Sequence, residues 1–143
     1  MKRYRVELVC ESGADEPEEV TLRTSTDVAN LVRPVFAGAD REKFVVVLLD
    51  AKHRATGINV VSVGSLTASI VHGREVFKPA IAGNAAAVIL ARNHPSGDPG
   101  PSAEDIEMTK RLRDAGELLG IRVLDHVILG DGKHHSFVDA GAW

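Results

Sequence analysis

The spacing of apolar positions changes several times along the chain, and each change predicts an element. Residues 4–10, "YRVELVC", alternate polar and apolar side chains, the period of a half-buried strand that would bury the Cys10 thiol. "ESGADEPEE", residues 11–19, is acidic and turn-rich and predicts a solvated loop. In residues 25–38, Val28, Leu31, Val32 and Val35 follow helical spacing behind a Ser/Thr/Asp start, with Pro34 kinking or shortening the helix. "KFVVVLLD", residues 43–50, is a continuous apolar run of strand length, as expected where both faces are covered. A polar "AKHRA" turn leads into "TGINVVSVGS", which makes residues 43–64 a hairpin.

"GREVFKPAIAG", residues 73–83, reads as a helix with Arg74 and Lys78 outward, and "AAAVILA", residues 85–91, as another buried strand. "SAEDIEMTKRLRDAGELLG", residues 102–120, predicts a long helix whose apolar stripe is marked by Ile106, Leu112 and Leu119 and which stops at Gly120. "IRVLDHVILG" and "HHSFV" close the chain as a pair of strands around "DGK". The order β-α-β-β-α-β-α-β-β predicts a single α/β domain, a sheet with helices packed against it.

Composition narrows the function classes. The 143 residues suffice for one core without staples, and 44% hydrophobic with 26% charged residues is ordinary for a soluble protein. A formal net charge of −3 gives no general attraction to nucleic acid or anionic membranes, and 4% aromatics do not build a base-stacking platform. The single cysteine excludes an intrachain disulfide framework and suits a reducing cytoplasm. No apolar run approaches the roughly 20 residues of a membrane span, and the N-terminus lacks the form of a signal peptide.

The chemistry concentrates in "ILARNHPSGDPGPSAED", residues 89–105, where a buried strand ends, a Gly/Pro turn follows and a helix starts at Ser102. Much of it has a purely structural reading. Ser102 and Asp105 form a capping box with Asp in place of Glu, and Glu104, Asp105 and Glu107 suit the positive end of the helix. The prolines and glycines make a tight connection. The same turn could also bring His94 and Asp105 to one point with Ser102 nearby, and an imidazole with a carboxylate is a zinc-type ligand pair. A third ligand on the same strand face as His94 would stand at position 92, and that residue is arginine.

A serine nucleophile at Ser96 or Ser102 lacks the Gly-x-Ser-x-Gly elbow. A phosphate site at the helix start is opposed by its three acids. The cations Lys110, Arg111 and Arg113 read as a solvated face.

"NHPSGDPGPSAED", with "GREVFKPA" upstream, "LDHVILGDGKHHSF" downstream, "DREKFVVVLLDAKHR" and the terminal "GAW", resembles the RadC family of JAB/MPN domains over roughly residues 39–143. The resemblance implies a mixed central β-sheet with flanking helices, the cytidine-deaminase-like JAB/MPN architecture. The helix-hairpin-helix-like part common in full RadC proteins is not among these residues. It further implies JAMM-type chemistry, zinc-dependent hydrolysis of a peptide or isopeptide amide. His94 would then be the second histidine ligand, Asp105 the carboxylate ligand, Ser102 an oxyanion stabiliser and Glu42 the general base. Arg92 and Ser96 would belong to the same cleft. A connection to DNA repair or to nucleic acid comes only with the family name, and oligomeric state stays open.

The first histidine of the family's His-x-His pair is Arg92 here. Arginine stays protonated and has no acceptor, so it cannot ligate zinc, and its charge repels a dication. Three arrangements follow. Arg92 replaces the metal by pairing with Asp105 or Glu42, leaving a metal-free binding or adaptor domain. Another histidine (His53, His72, His126, His134 or His135) completes the site. Or Arg92 points away and a weakened site survives. The expectation for zinc is therefore weak, substoichiometric or absent binding.

Overall fold

In the computed structural model, residues 1–11, 20–64 and 71–143 are described. The two continuous apolar runs are neighbouring central strands, β2 (Lys43–Leu49) and β4 (Ala87–Asn93). Their alternate side chains feed two separate cores. Phe44, Val46 and Leu48 with Val88 and Leu90 lie on one face, and Val45, Val47 and Leu49 with Ala87, Ile89 and Ala91 on the other. A fully buried side chain of this kind contributes about 1.5–3 kcal/mol, and a one-residue slip would exchange the two cores, so the β2–β4 register is strongly held.

The rest assembles around this pair. β1 (Val20–Thr21) precedes α1 (Ser25–Phe36), and β3 (Arg54–Val63) follows β2 as the hairpin the sequence predicts. α2 (Gly73–Ala82) leads to β4, and α3 (Ala103–Leu119) to β5 (Arg122–Leu129) and β6 (His134–Ser136). The strands form one six-stranded sheet in the order β1-β3-β2-β4-β5-β6. Among the described residues only β4 and β5 pair in parallel, so the sheet is mixed. α2 and α3 cover the Phe44 face, and α1 covers the Val45 face. This is the expected α/β architecture.

Three local expectations are corrected. Residues 4–10 form no strand: Tyr4, Val6 and Val9 stand in solvent and Cys10 is exposed, and among the described residues no strand pairs with the segment. The acidic loop of residues 11–19 lies, apart from Glu11, outside the described residues. The buried stripe of α3 is Asp105, Met108, Thr109, Leu112 and Gly116, whereas Ile106 and Leu119 are exposed. The helix is rotated because Asp105 turns toward the sheet to meet charged partners, an inward position that a search for apolar side chains passes over. Pro34 lies in the last turn of α1, two residues before its end, and removes the N–H that would bond the Asn30 carbonyl. Among the described residues no helix is long and apolar enough to cross a membrane.

Candidate functional site

The β2–β4 register places the first two members of the site. Phe44 stands opposite Arg92 in an antiparallel ladder, so Glu42, just before β2, lies diagonally across from Arg92 on the same face. The Arg92 Nη2 donates to Glu42 Oε2 at 2.9 Å. Arg92 Nη1 donates to Asp105 Oδ1. The guanidinium side chain is only 3% exposed, and that of Asp105 is fully buried. Glu42 keeps 30% of its side-chain surface and forms the outer member of this chain of charges.

The connection from β4 to α3 delivers the remaining members. Asn93 ties the end of β4 to the start of β2 by accepting from Lys43 N–H and donating to the Arg41 carbonyl. The His94 N–H donates to the Leu129 carbonyl. The chain then turns through Gly97 at φ 90°, against Gly130, where an added Cβ would lie 2.3 Å from the Gly97 carbonyl oxygen. The carbonyl of Asp98 accepts from His94 Nδ1, which fixes that ring nitrogen as the N–H donor and aims Nε2 at Asp105 Oδ2, 3.2 Å away. At the helix start Ser102 Oγ accepts from the Asp105 N–H, and Asp105 Oδ2 accepts from the Ser102 N–H, completing the predicted capping box.

Asp105 thus serves the cap and the cluster with the same carboxylate. Burial alone would raise its pKa, but bonds from His94 and the Ser102 backbone, with the Arg92 charge, hold it well below the usual carboxylate range. His94 is shifted the other way: the Asp105 hydrogen bond raises its pKa against the effect of burial, helped by the Asp98 carbonyl. When protonated, it donates from both nitrogens and offers no lone pair.

The structure brings Glu42, Arg92, His94 and Asp105 together. Ser102 is exposed and its hydroxyl is committed to the cap. Ser96 stands apart: it accepts weakly from Asp98 N–H at 3.4 Å and lines a 340 Å³ cavity on the α1 side with Arg33, Phe36, His94 and Asp131.

Sequence reasoning offered His126 only as one of five histidines that could complete the site, without singling it out, yet of those five it is the one that lies against this cluster. It is fully buried between Phe44 and Phe137 on the same face as Arg92. Thr109 Oγ1 donates to the Asp105 carbonyl and so accepts from His126 Nδ1–H. Burial pushes the His126 pKa down to about 3, and the ring is neutral with its Nε2 lone pair free. Arg92 Nε is the other buried side-chain nitrogen without a hydrogen-bond partner among the described residues. The signal in sequence was parity alone: positions 90 and 126 pair in β4 and β5, which puts His126 two residues from Arg92 across the ladder. His53, His72, His134 and His135 lie at other places, His134 against Ser25 and His135 edge-on to Phe137.

The fit of a zinc ion follows from this donor set. His94 Nε2 and Asp105 Oδ2 are separated by 3.2 Å, close to the ~3.3 Å between two ligands of a tetrahedral zinc. Among the described residues, however, no group of three or more His, Cys, Asp or Glu side chains converges. The other Asp105 oxygen is held by a permanent cation. A three-ligand site does not fit these residues.

A family model described as the RadC-like JAB domain matches residues 22–142. A UPF0758 protein of Geobacter sulfurreducens is 50% identical over 134 residues, covering 94% of this chain and 55% of that protein. One from Trichlorobacter lovleyi is 60% identical over 101 residues, covering 71% of this chain and 44% of its own length. One from the archaeon Methanosarcina mazei is 47% identical over 131 residues, 92% and 57% of the two chains. The chain spans about half the length of these relatives.

Proposed function

This chain belongs to the RadC-like JAB family, and from that premise we propose that it is a metal-free member whose cleft binds a peptide or protein segment without hydrolysing it. The observation that carries this reading is the Arg92 guanidinium joining Glu42 to Asp105. In the family pattern those two carboxylates would be general base and metal ligand. Here a fixed cation engages both.

A metal would have to draw Asp105 away from Arg92. Breaking a buried pair by taking one partner costs about 3–5 kcal/mol, equivalent to about two to four orders of magnitude in affinity. His94 adds to that cost, because its raised pKa favours a proton on Nε2 that has to leave before the nitrogen can ligate. The solvent-facing rim of the cluster is Glu42, with 30% of its side-chain surface exposed, and His94, with 14%.

The test is zinc titration by calorimetry, with elemental analysis of protein prepared without chelators. The wild-type chain is expected to carry no stoichiometric zinc. Arg92→His is expected to bind at least about a hundredfold more tightly, and Asp105→Asn in that background to lose the gain. One tightly held zinc per wild-type chain, or an Arg92→His variant with unchanged affinity, would overturn the reading.

A further inference from the structure

Past the end of β4 lies a 340 Å³ cavity on the α1 side, away from the buried Arg92 cluster. The last turn of α1 lines it with Arg33 and Phe36, and the segment from the end of β5 lines it with Leu129 and Asp131. Bonds within the chain fix both walls. Lys43 Nζ donates to the Val35 carbonyl at 3.2 Å and holds the end of α1 to β2. The His94 N–H donates to the Leu129 carbonyl at 2.8 Å, and the Asp131 N–H to the Gly97 carbonyl at 2.9 Å, which ties the two loops together. The cavity is therefore preformed, and its volume lies near the small end of the roughly 300–1,000 Å³ of small-molecule sites.

Three ionisable side chains line this space: Arg33, His94 and Asp131. His94 has both ring nitrogens engaged, one with the Asp98 carbonyl and one with Asp105. Arg33 and Asp131 differ. Among the described residues neither side chain makes a hydrogen bond or an ion pair, with the other or with any further group. A cation in the last turn suits the negative end of α1, but that role does not account for an acid on the other wall. The lining thus offers one uncommitted cation, one uncommitted anion and the apolar side chains of Phe36 and Leu129.

We propose that this cavity binds a free α-amino acid with an apolar side chain. The Arg33 fork takes the α-carboxylate, Asp131 takes the α-ammonium, and the side chain lies against Phe36 and Leu129. A simple anion would meet Asp131 and a simple cation would meet Arg33, so a ligand carrying both charges answers both walls. The volume suits one residue and not a folded partner. The proposal stands apart from the metal-free reading, because neither wall uses Glu42, Arg92 or Asp105.

The test is calorimetric titration of the intact chain with leucine, valine, methionine and phenylalanine, with amide NMR to locate the site. At least one is expected to bind at about millimolar concentration or tighter, shifting the amides of Ser96, Gly97 and Asp131. Isocaproate lacks the ammonium of leucine and isopentylamine lacks its carboxylate, and each is expected to bind at least about tenfold more weakly than leucine. Arg33→Gln is expected to weaken leucine about tenfold without weakening isopentylamine, and Asp131→Asn to weaken leucine without weakening isocaproate. Both variants should melt with the wild type, since neither side chain is bonded. Should Arg33→Gln melt lower, Arg33→Lys supplies the same comparison, keeping a cation at the helix end while losing the fork. No binding by any of the four amino acids at about 10 mM would overturn the proposal. So would binding that shifts other amides, or binding indifferent to both substitutions. The dipeptide Gly-Leu has the carboxylate but no ammonium on its leucine; if it bound as tightly as leucine, the occupant would be a peptide C-terminus and the proposal would fail.

Discussion

At the start of α1 the Thr24 side chain accepts from the Asp27 N–H, while Asp27 accepts from the Thr24 N–H. At the start of α3 Ser102 and Asp105 make the same reciprocal pair. Locally the two helix starts are equivalent, and both aspartates have pKa values below the usual range. Their surroundings differ. Asp27 receives only backbone N–H groups of Arg23 and Thr24 at the surface, whereas Asp105 is fully buried and also holds Arg92 and His94. One motif ends a helix cleanly; the other does so and also completes a charged cluster. A capping box is therefore neutral evidence about function until the residue on the far side of its carboxylate is known.

The largest expected effect separates the two aspartates. Asp105→Ala leaves the buried Arg92 with only Glu42 and should cost about 3–5 kcal/mol in urea unfolding. Asp27→Ala should lose much less, since it removes a solvated cap and strands no buried charge. Equal losses would erase the distinction.

The pH dependence should come next. His126 has a folded pKa lowered to about 3 from 6.5, so its contribution is complete above pH 6.5 and is lost as pH falls toward 3. Between pH 6.5 and 5 this amounts to about 1.5 kcal/mol, and His126→Leu should flatten that slope. His94 acts in the opposite window. Its folded pKa is raised, so the His94–Asp105 contribution is fully present below pH 6.5 and is lost as pH rises through the raised value. Asp105 adds a further loss under acid conditions, below its unfolded value of 3.8. Stability that falls from pH 6.5 to 5 equally in wild type and His126→Leu would remove His126 from the account.

The smallest effects should coincide. Thr24→Ala and Ser102→Ala each remove a cap hydroxyl and should cost about 1 kcal/mol, as thermal melts would show. A much larger loss at Ser102 would mean that its hydroxyl also supports the charged cluster.

Much of the molecule was legible from periodicity. β2 and β4 are continuous apolar runs, and burial on both sheet faces is what such runs require. The capping box at Ser102 and the glycine stop at Gly120 follow from local backbone chemistry and appear as expected. The candidate cleft was legible through the family motif, including the oddity of Arg92. His126 was not, because a buried histidine in an apolar strand has no local mark that distinguishes one packed against a site. The inward face of α3 was missed for a related reason: Asp105 and Thr109 are buried by pairing, while Ile106 is left outside.

The sequence by itself determined the elements from α1 onward, their order and the family, because hydrophobic period, caps and turns act within a few residues. It also determined that position 92 cannot ligate a metal, since that is a property of the guanidinium. Only the tertiary structure decided what Arg92 does instead. Glu42 and Asp105 lie 50 and 13 residues from it in sequence, and the β2–β4 register and the capped start of α3 bring both carboxylates to one guanidinium. Likewise the alternation of residues 4–10 is local, but whether a strand finds a partner depends on which edge the folded sheet leaves within reach.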